Sequence, residues 1–129
     1  MKDSIAELIT KLKNANVSGK ETVSFPYSKM REQILNTLEK RGFVKAVGKK
    51  GKKVNKALEA ALVYEDGKSR IQGVSQISKF SKRIYYKVSD IKPVRNGFGA
   101  LIITTPQGIM TDLEARKAKV GGEPLFKIW

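Results

Sequence analysis

The 129 residues contain no histidine and no cysteine. The first absence removes the side chain that most often serves as general base near neutral pH, and the commonest metal ligand. The second excludes disulfides and thiolate metal sites. Acidic residues are also scarce, with 12 Asp and Glu against 26 Lys and Arg. Carboxylate catalysis needs two converging acids, yet Asp3, Glu7, Glu21, Glu32, Glu39 and Glu59 are scattered singly. Only Glu65-Asp66 and Asp112-x-Glu114 lie close in sequence, and a glycine turn and a helix start explain them. No catalytic activity, no cofactor and no small-molecule substrate are expected. Apolar runs such as Ala100 to Ile103 fall far short of the roughly 20 residues a membrane-spanning helix needs. The start of the chain lacks a basic stretch, an apolar segment and a cleavage site in succession. A cytoplasmic location without membrane contact is therefore expected.

What the sequence does carry is positive charge. Its formal net charge is +14 and its pI about 10.1. Such an excess repels itself within a fold and generally exists to meet an opposite charge. Nucleic-acid phosphate is the commonest partner, ahead of an anionic membrane surface. Hydrophobic residues make up 40%, enough for a modest core in one compact unit or two small lobes.

Residue spacing predicts an α+β fold with an N-terminal α-β-α-β-β lobe and a β-rich C-terminal lobe holding a short helix. Ile5, Leu8, Ile9, Leu12 and Ala15 recur at helical spacing across Asp3–Asn16. Thr22–Pro26 reads as a short strand. Ser28–Arg41 reads as a second helix, with Met30, Ile34, Leu35 and Leu38 inward and Gly42 ending it. Phe43–Val47 reads as a strand, and Lys45 to Lys56 as a basic loop. Asn55–Tyr64 has helical propensity, but Leu58, Ala60, Leu62 and Tyr64 alternate, and Asp66-Gly67 is a hairpin signature, so a strand is preferred. Ile71–Ser78, Arg83–Val88, Ala100–Thr105 and Pro124–Trp129 complete the expected strands. Thr111-x-x-Glu114 opens a helix to about Val120, where Gly121-Gly122 stops it. The lobe boundary is placed at 66/67, within the stretch Asp66 to Arg70, giving domains 1–66 and 67–129.

Three groups of residues could meet RNA. Thr104-Thr105-Pro106-Gln107-Gly108 ends a strand in hydroxyls and turns toward the helix opened by Thr111. Hydroxyls can donate and accept at bases, sugars and phosphates, and a helix N-terminus adds donors. An ordinary strand–turn–helix connection would use the same residues. Of the two threonines, Thr105 is expected to face RNA because it lies nearer the turn. Lys49, Lys50, Lys52 and Lys53 offer point charges to phosphate, which supply affinity rather than sequence reading. Tyr85 and Tyr86 should face opposite sides, one in the core and one able to stack, with Arg83 on the Tyr85 face. Gly67-Lys68-Ser69 lacks the upstream glycine of a phosphate-binding loop and is set aside.

Asn96-Gly97-Phe98-Gly99-Ala100, Thr104 through Asp112, Gly121-Gly122-Glu123 and Trp129 together closely resemble the small-subunit ribosomal protein S-eight family. Leu8 to Ala15, Pro26-x-Ser28-Lys29 and Gly42-Phe43-Val44 extend the likeness over essentially the whole chain. The resemblance implies a two-domain, ribosome-bound structural protein that binds the central domain of small-subunit rRNA early in assembly. It implies neighbouring small-subunit ribosomal proteins as partners, and in bacteria repression of the protein's own operon mRNA. A cytoplasmic ribosome is expected, and an organellar one is not excluded. The family's RNA-reading loop maps onto Thr104, Thr105, Pro106, Gln107 and Gly108, its basic helix start onto Ser28 and Lys29, and its strand tyrosine onto Tyr85. Glu123 matches a carboxylate beside that surface. The family commonly has serine at Pro106, lysine at Gln107 and Pro-Gly at Phe80-Ser81, so this chain loses a loop hydroxyl and a loop charge; the Lys49–Lys53 run can compensate electrostatically. A free regulatory RNA- or DNA-binding module is the rival reading, followed by a carboxylate enzyme.

Overall fold

A computed structural model describes residues 4–51, 54 and 56–129. The fold is α+β, and it divides into two compact units. One is Glu7–Ile71, and the other is Gln72–Trp129 together with residues 4–6.

The Glu7–Ile71 unit holds helix α1 (Ser4–Val17, its start excepted), strand β1 (Thr22–Pro26), helix α2 (Lys29–Lys40), strands β2 (Val44–Lys50) and β3 (Ala57–Leu62), and a two-residue hairpin of β4 (Tyr64–Glu65) and β5 (Lys68–Ser69). The sheet runs β1-β3-β2, antiparallel throughout. Alternation in β3 buries Leu58, Ala60 and Leu62, so the tertiary environment overrides the helical propensity of that run. Leu8, Leu12, Phe25, Ile34, Leu35, Leu38 and Phe43 fill the core. Removing one such side chain to alanine costs about 2–5 kcal/mol. Met30, expected inward, is 38% exposed, and Thr37 is buried in the α2 face with its hydroxyl donating to the Gln33 carbonyl at 2.8 Å. Asp66 and Gly67 take φ of 52° and 76°, the geometry their hairpin signature calls for.

The first half of the expected basic loop over Lys45–Lys56 is strand. Strand β2 continues to Lys50 and β3 starts at Ala57, with a register shift between Lys45 and Gly48. Ala46 absorbs that bulge at φ 52°, and the Glu39 carboxylate accepts the Val47 N–H at 3.0 Å. Glycines and lysines favour a loop locally, but pairing with β3 draws Lys45, Gly48, Lys49 and Lys50 into the sheet. Lys52 and Lys53 lie outside the described residues.

The Gln72–Trp129 unit has strands β6 (Val74–Gln76), β7 (Ala100–Thr105), β8 (Gly108–Thr111) and β9 (Glu123–Ile128), plus helix α3 (Asp112–Ala118). Its sheet is ordered β6-β9-β7-β8. Leu101 and Ile103 on one face of β7 pack with Ala115 of α3, Ile91 and Val94, and Tyr86 and Met110 pack partly against them. The strand expected over Ile71–Ser78 shrinks to three residues, Val74–Gln76. No strand forms over Arg83–Val88; Tyr86 makes a single bridge to Gly122, and Val88–Asp90 is a 3-10 turn. The Asp90 carboxylate takes the Lys87 N–H at 2.8 Å, which competes with any ladder there.

Candidate nucleic-acid interface

In the C-terminal unit, β7 and β8 form a hairpin in which Thr105 pairs with Gly108 across Pro106 and Gln107. Proline fixes φ early in the turn, and Gly108 closes it at φ 117°, a region closed to most side chains. Pro106 and Gln107 are exposed. The Thr105 side chain turns inward, donating to the Gly108 carbonyl at 2.8 Å and accepting the Gln107 N–H at 3.1 Å. Thr105 is buried, so the hydroxyl expected to face RNA braces the turn instead. Thr104 is half-buried on the opposite face of β7.

Antiparallel register sets Thr104 between Ile109 of β8 and Glu123 of β9. Directly paired residues share a sheet face, so these three side chains form one row. The Glu123 carboxylate accepts from Arg83 at 3.1 Å and from the Ser78 hydroxyl. Both Arg83 and Tyr85 are mostly exposed, while Tyr86 packs against the core, as alternation predicts for adjacent residues in extended chain.

Gly121 and Gly122 hold these pieces together. A Cβ on Gly122 would collide with the Thr104 carbonyl oxygen, and one on Gly121 would collide with that of Tyr86. Tyr86 and Gly122 exchange backbone hydrogen bonds of 2.8 and 3.0 Å. The glycine pair, expected to stop the helix, does not do so: α3 ends earlier, with Lys119 in left-handed geometry. The two glycines serve close backbone approach, which places the Tyr85–Tyr86 segment beside the Thr104–Thr105 strand end. Adjacent glycines are visible in the sequence, but which backbone they admit is not.

Thr111 is buried, and its hydroxyl accepts the Glu114 N–H at 3.2 Å, while the Glu114 carboxylate accepts the Thr111 N–H at 3.1 Å. This is the expected capping box, and it commits Thr111 to the helix. Strand β8 also separates the turn from α3, so the helix N-terminus does not open at Pro106–Gln107. Asp112 is buried with both oxygens used, one on the Leu101 N–H at 3.2 Å and one on Arg116 at 3.1 Å.

In the Glu7–Ile71 unit, Ser28 caps α2 by accepting the Arg31 N–H at 3.1 Å, and Lys29 is exposed at the first turn. Lys49 and Lys56 place their ammonium groups 5.2 and 5.6 Å from the Tyr27 ring centre. Lys49 also reaches Glu32 at 3.4 Å, and Lys50 reaches Glu59 at 2.6 Å. Lys49 and Lys50 therefore point along the sheet and helix surface with acidic neighbours, rather than from a free loop.

The sequence profile of the family described as Ribosomal protein S8 matches residues 3–129. A protein of Caldanaerobacter subterraneus subsp. tengcongensis named "Small ribosomal subunit protein uS8" is 44% identical over 130 residues, covering 100% of this chain and 98% of that protein. Proteins of the same name from Mycoplasmopsis synoviae and a Ruegeria species are 40% and 38% identical; the alignments cover 98% and 100% of this chain and 97% and 100% of those proteins.

Proposed function

The chain belongs to the ribosomal protein S8 family, and from that membership we propose that, as a ribosome-bound structural component of the small subunit, it binds the central domain of small-subunit rRNA during assembly. The observation that carries this reading is the row of Thr104, Ile109 and Glu123 beside the exposed Pro106–Gln107 turn, on a chain of net charge +14. A small projecting hairpin suits the wide, shallow minor groove of RNA, where 2′-hydroxyls are within reach of a threonine hydroxyl. Arg83 and Tyr85 supply charge and a stacking face alongside. Ser28, Lys29, Lys49 and Lys50 contribute a second basic surface on the other unit, with Lys52 and Lys53 continuing it in sequence.

Backbone charges set affinity and the hairpin sets recognition. Neighbouring small-subunit proteins are further partners. The same hairpin would repress the protein's own operon mRNA if that message folds into the same RNA shape. The carboxylates nearest the hairpin, Asp112, Glu114 and Glu123, are engaged in capping, backbone and ion-pair contacts, and no catalytic role is proposed for them.

Chemical footprinting of the purified protein on intact small-subunit rRNA tests the reading. Protection confined to a helical region of the central domain is expected, and an operon transcript should compete for it. Protection elsewhere, or a protein that stays off sedimenting small subunits, would favour a free regulatory module.

A further inference from the structure

Resting on the RNA-binding reading above, we propose that the Lys79–Lys82 turn is a further RNA contact, in which the Phe80 ring stacks on an unpaired base while Lys79 and Lys82 meet the adjoining phosphates.

The turn is tight. Lys79 and Lys82 exchange backbone hydrogen bonds of 3.1 and 3.0 Å, leaving only Phe80 and Ser81 at the tip. Residues at such tips are usually glycine, asparagine or aspartate, chosen for backbone geometry. Here an aromatic ring occupies the tip, 46% exposed, among the exposed cations Lys79, Lys82 and Arg83. The Arg83 guanidinium lies 5.5 Å from the ring centre and steadies it.

Both legs of the turn are anchored to one carboxylate. Ser78 before it and Arg83 after it hydrogen-bond Glu123, and the Ser78 hydroxyl also accepts the Ile84 N–H at 3.3 Å. Glu123 in turn pairs with Thr104 in the strand register, so the turn is fixed to the strand that borders the hairpin. A ring already held in place loses little freedom on binding. The surrounding cations select an anionic partner over an apolar protein surface. Bases within a duplex are already stacked on each other, so a protruding ring selects an unpaired nucleotide, whatever its identity.

The test measures affinities of Phe80→Ala, Phe80→Leu and Phe80→Trp for the rRNA fragment that the parent protects, with Thr104→Val alongside. Alanine and leucine should each weaken binding about tenfold, while tryptophan restores it, because stacking needs a flat ring. The salt dependence should not change, since no charge is altered. RNA carrying 5-iodouridine at unpaired positions should photocrosslink to the Phe80 peptide. Alanine or leucine binding as tightly as the parent would overturn the proposal, as would crosslinks confined to other peptides. If Thr104→Val weakens binding while Phe80→Ala does not, the RNA-binding reading stands and this inference falls. A parent protein that binds the fragment no better than unrelated RNA removes both.

Discussion

The Thr105 hydroxyl donates to the Gly108 carbonyl at 2.8 Å, tying the end of β7 to the start of β8 across the Pro106–Gln107 turn. It also accepts the Gln107 N–H, so one buried side chain fixes both sides of the tip. The two threonines thus divide their work. Thr105 shapes the hairpin, and Thr104 stands on the face shared with Ile109 and Glu123.

Replacing each threonine by valine separates these roles while keeping the branched shape. Thr105→Val should cost about 1–3 kcal/mol of stability, because it removes both hydrogen bonds that the hydroxyl makes across the turn. Its melting temperature should fall by several degrees. Thr104→Val should melt like the parent, yet bind its rRNA site about tenfold more weakly, with an unchanged salt slope. Equal stability and equal affinity for both variants would contradict this division.

Two glycines should fail for different reasons when changed to alanine. At Gly122 the new Cβ runs into the Thr104 carbonyl oxygen, so β7 and β9 must separate. At Gly108 nothing lies within 4 Å, but φ is 117°. Both changes should destabilise by about 1–3 kcal/mol, one through overpacking and one through backbone strain. Denaturant titration reads the loss. Only Gly122→Ala should also disturb the Thr104–Glu123 register, which amide shifts of β7 and β9 would report.

The lysines of β2 should set affinity without selectivity. Lys49→Gln with Lys50→Gln should weaken binding to rRNA and to unrelated RNA helices by similar factors. The log–log salt slope should flatten by about 0.9 for each duplex phosphate that is no longer neutralised. Glu32 and Glu59 hold those ammonium groups at 3.4 and 2.6 Å and would compete with RNA for them. Glu32→Gln with Glu59→Gln should therefore tighten binding to any RNA, while stability changes by about 1 kcal/mol per surface pair.

Asp112 should matter to stability alone. Its carboxylate holds the Leu101 N–H and Arg116, joining α3 to β7 inside the core. Asp112→Ala should cost about 1.5–3 kcal/mol, the range for hydrogen bonds to a charged group. Asp112→Asn should cost less, because it keeps an acceptor for Leu101. Affinity for RNA, measured well below the melting temperature, should match the parent; a selective loss of binding would instead put Asp112 at the interface.

Local chemistry made much of this molecule legible. Charge pointed to a polyanionic partner, and the spacing of Ile5–Ala15, Ile34–Leu38 and Leu58–Leu62 determined the α+β elements, because periodicity and capping act within a few residues. The Asp66-Gly67 turn, the Thr111–Glu114 capping box and the opposed tyrosines were readable for the same reason. Tertiary structure decided the rest. Backbone competition reduced Arg83–Val88 to one bridge, and pairing with β3 drew Lys49 and Lys50 into a strand. Which threonine turns inward, which backbones Gly121 and Gly122 admit, and that Glu123 grips both legs of the Phe80 turn all depend on residues far apart in sequence. Such contacts form only when strand register fixes which side chains share a face, and no local pattern carries that information.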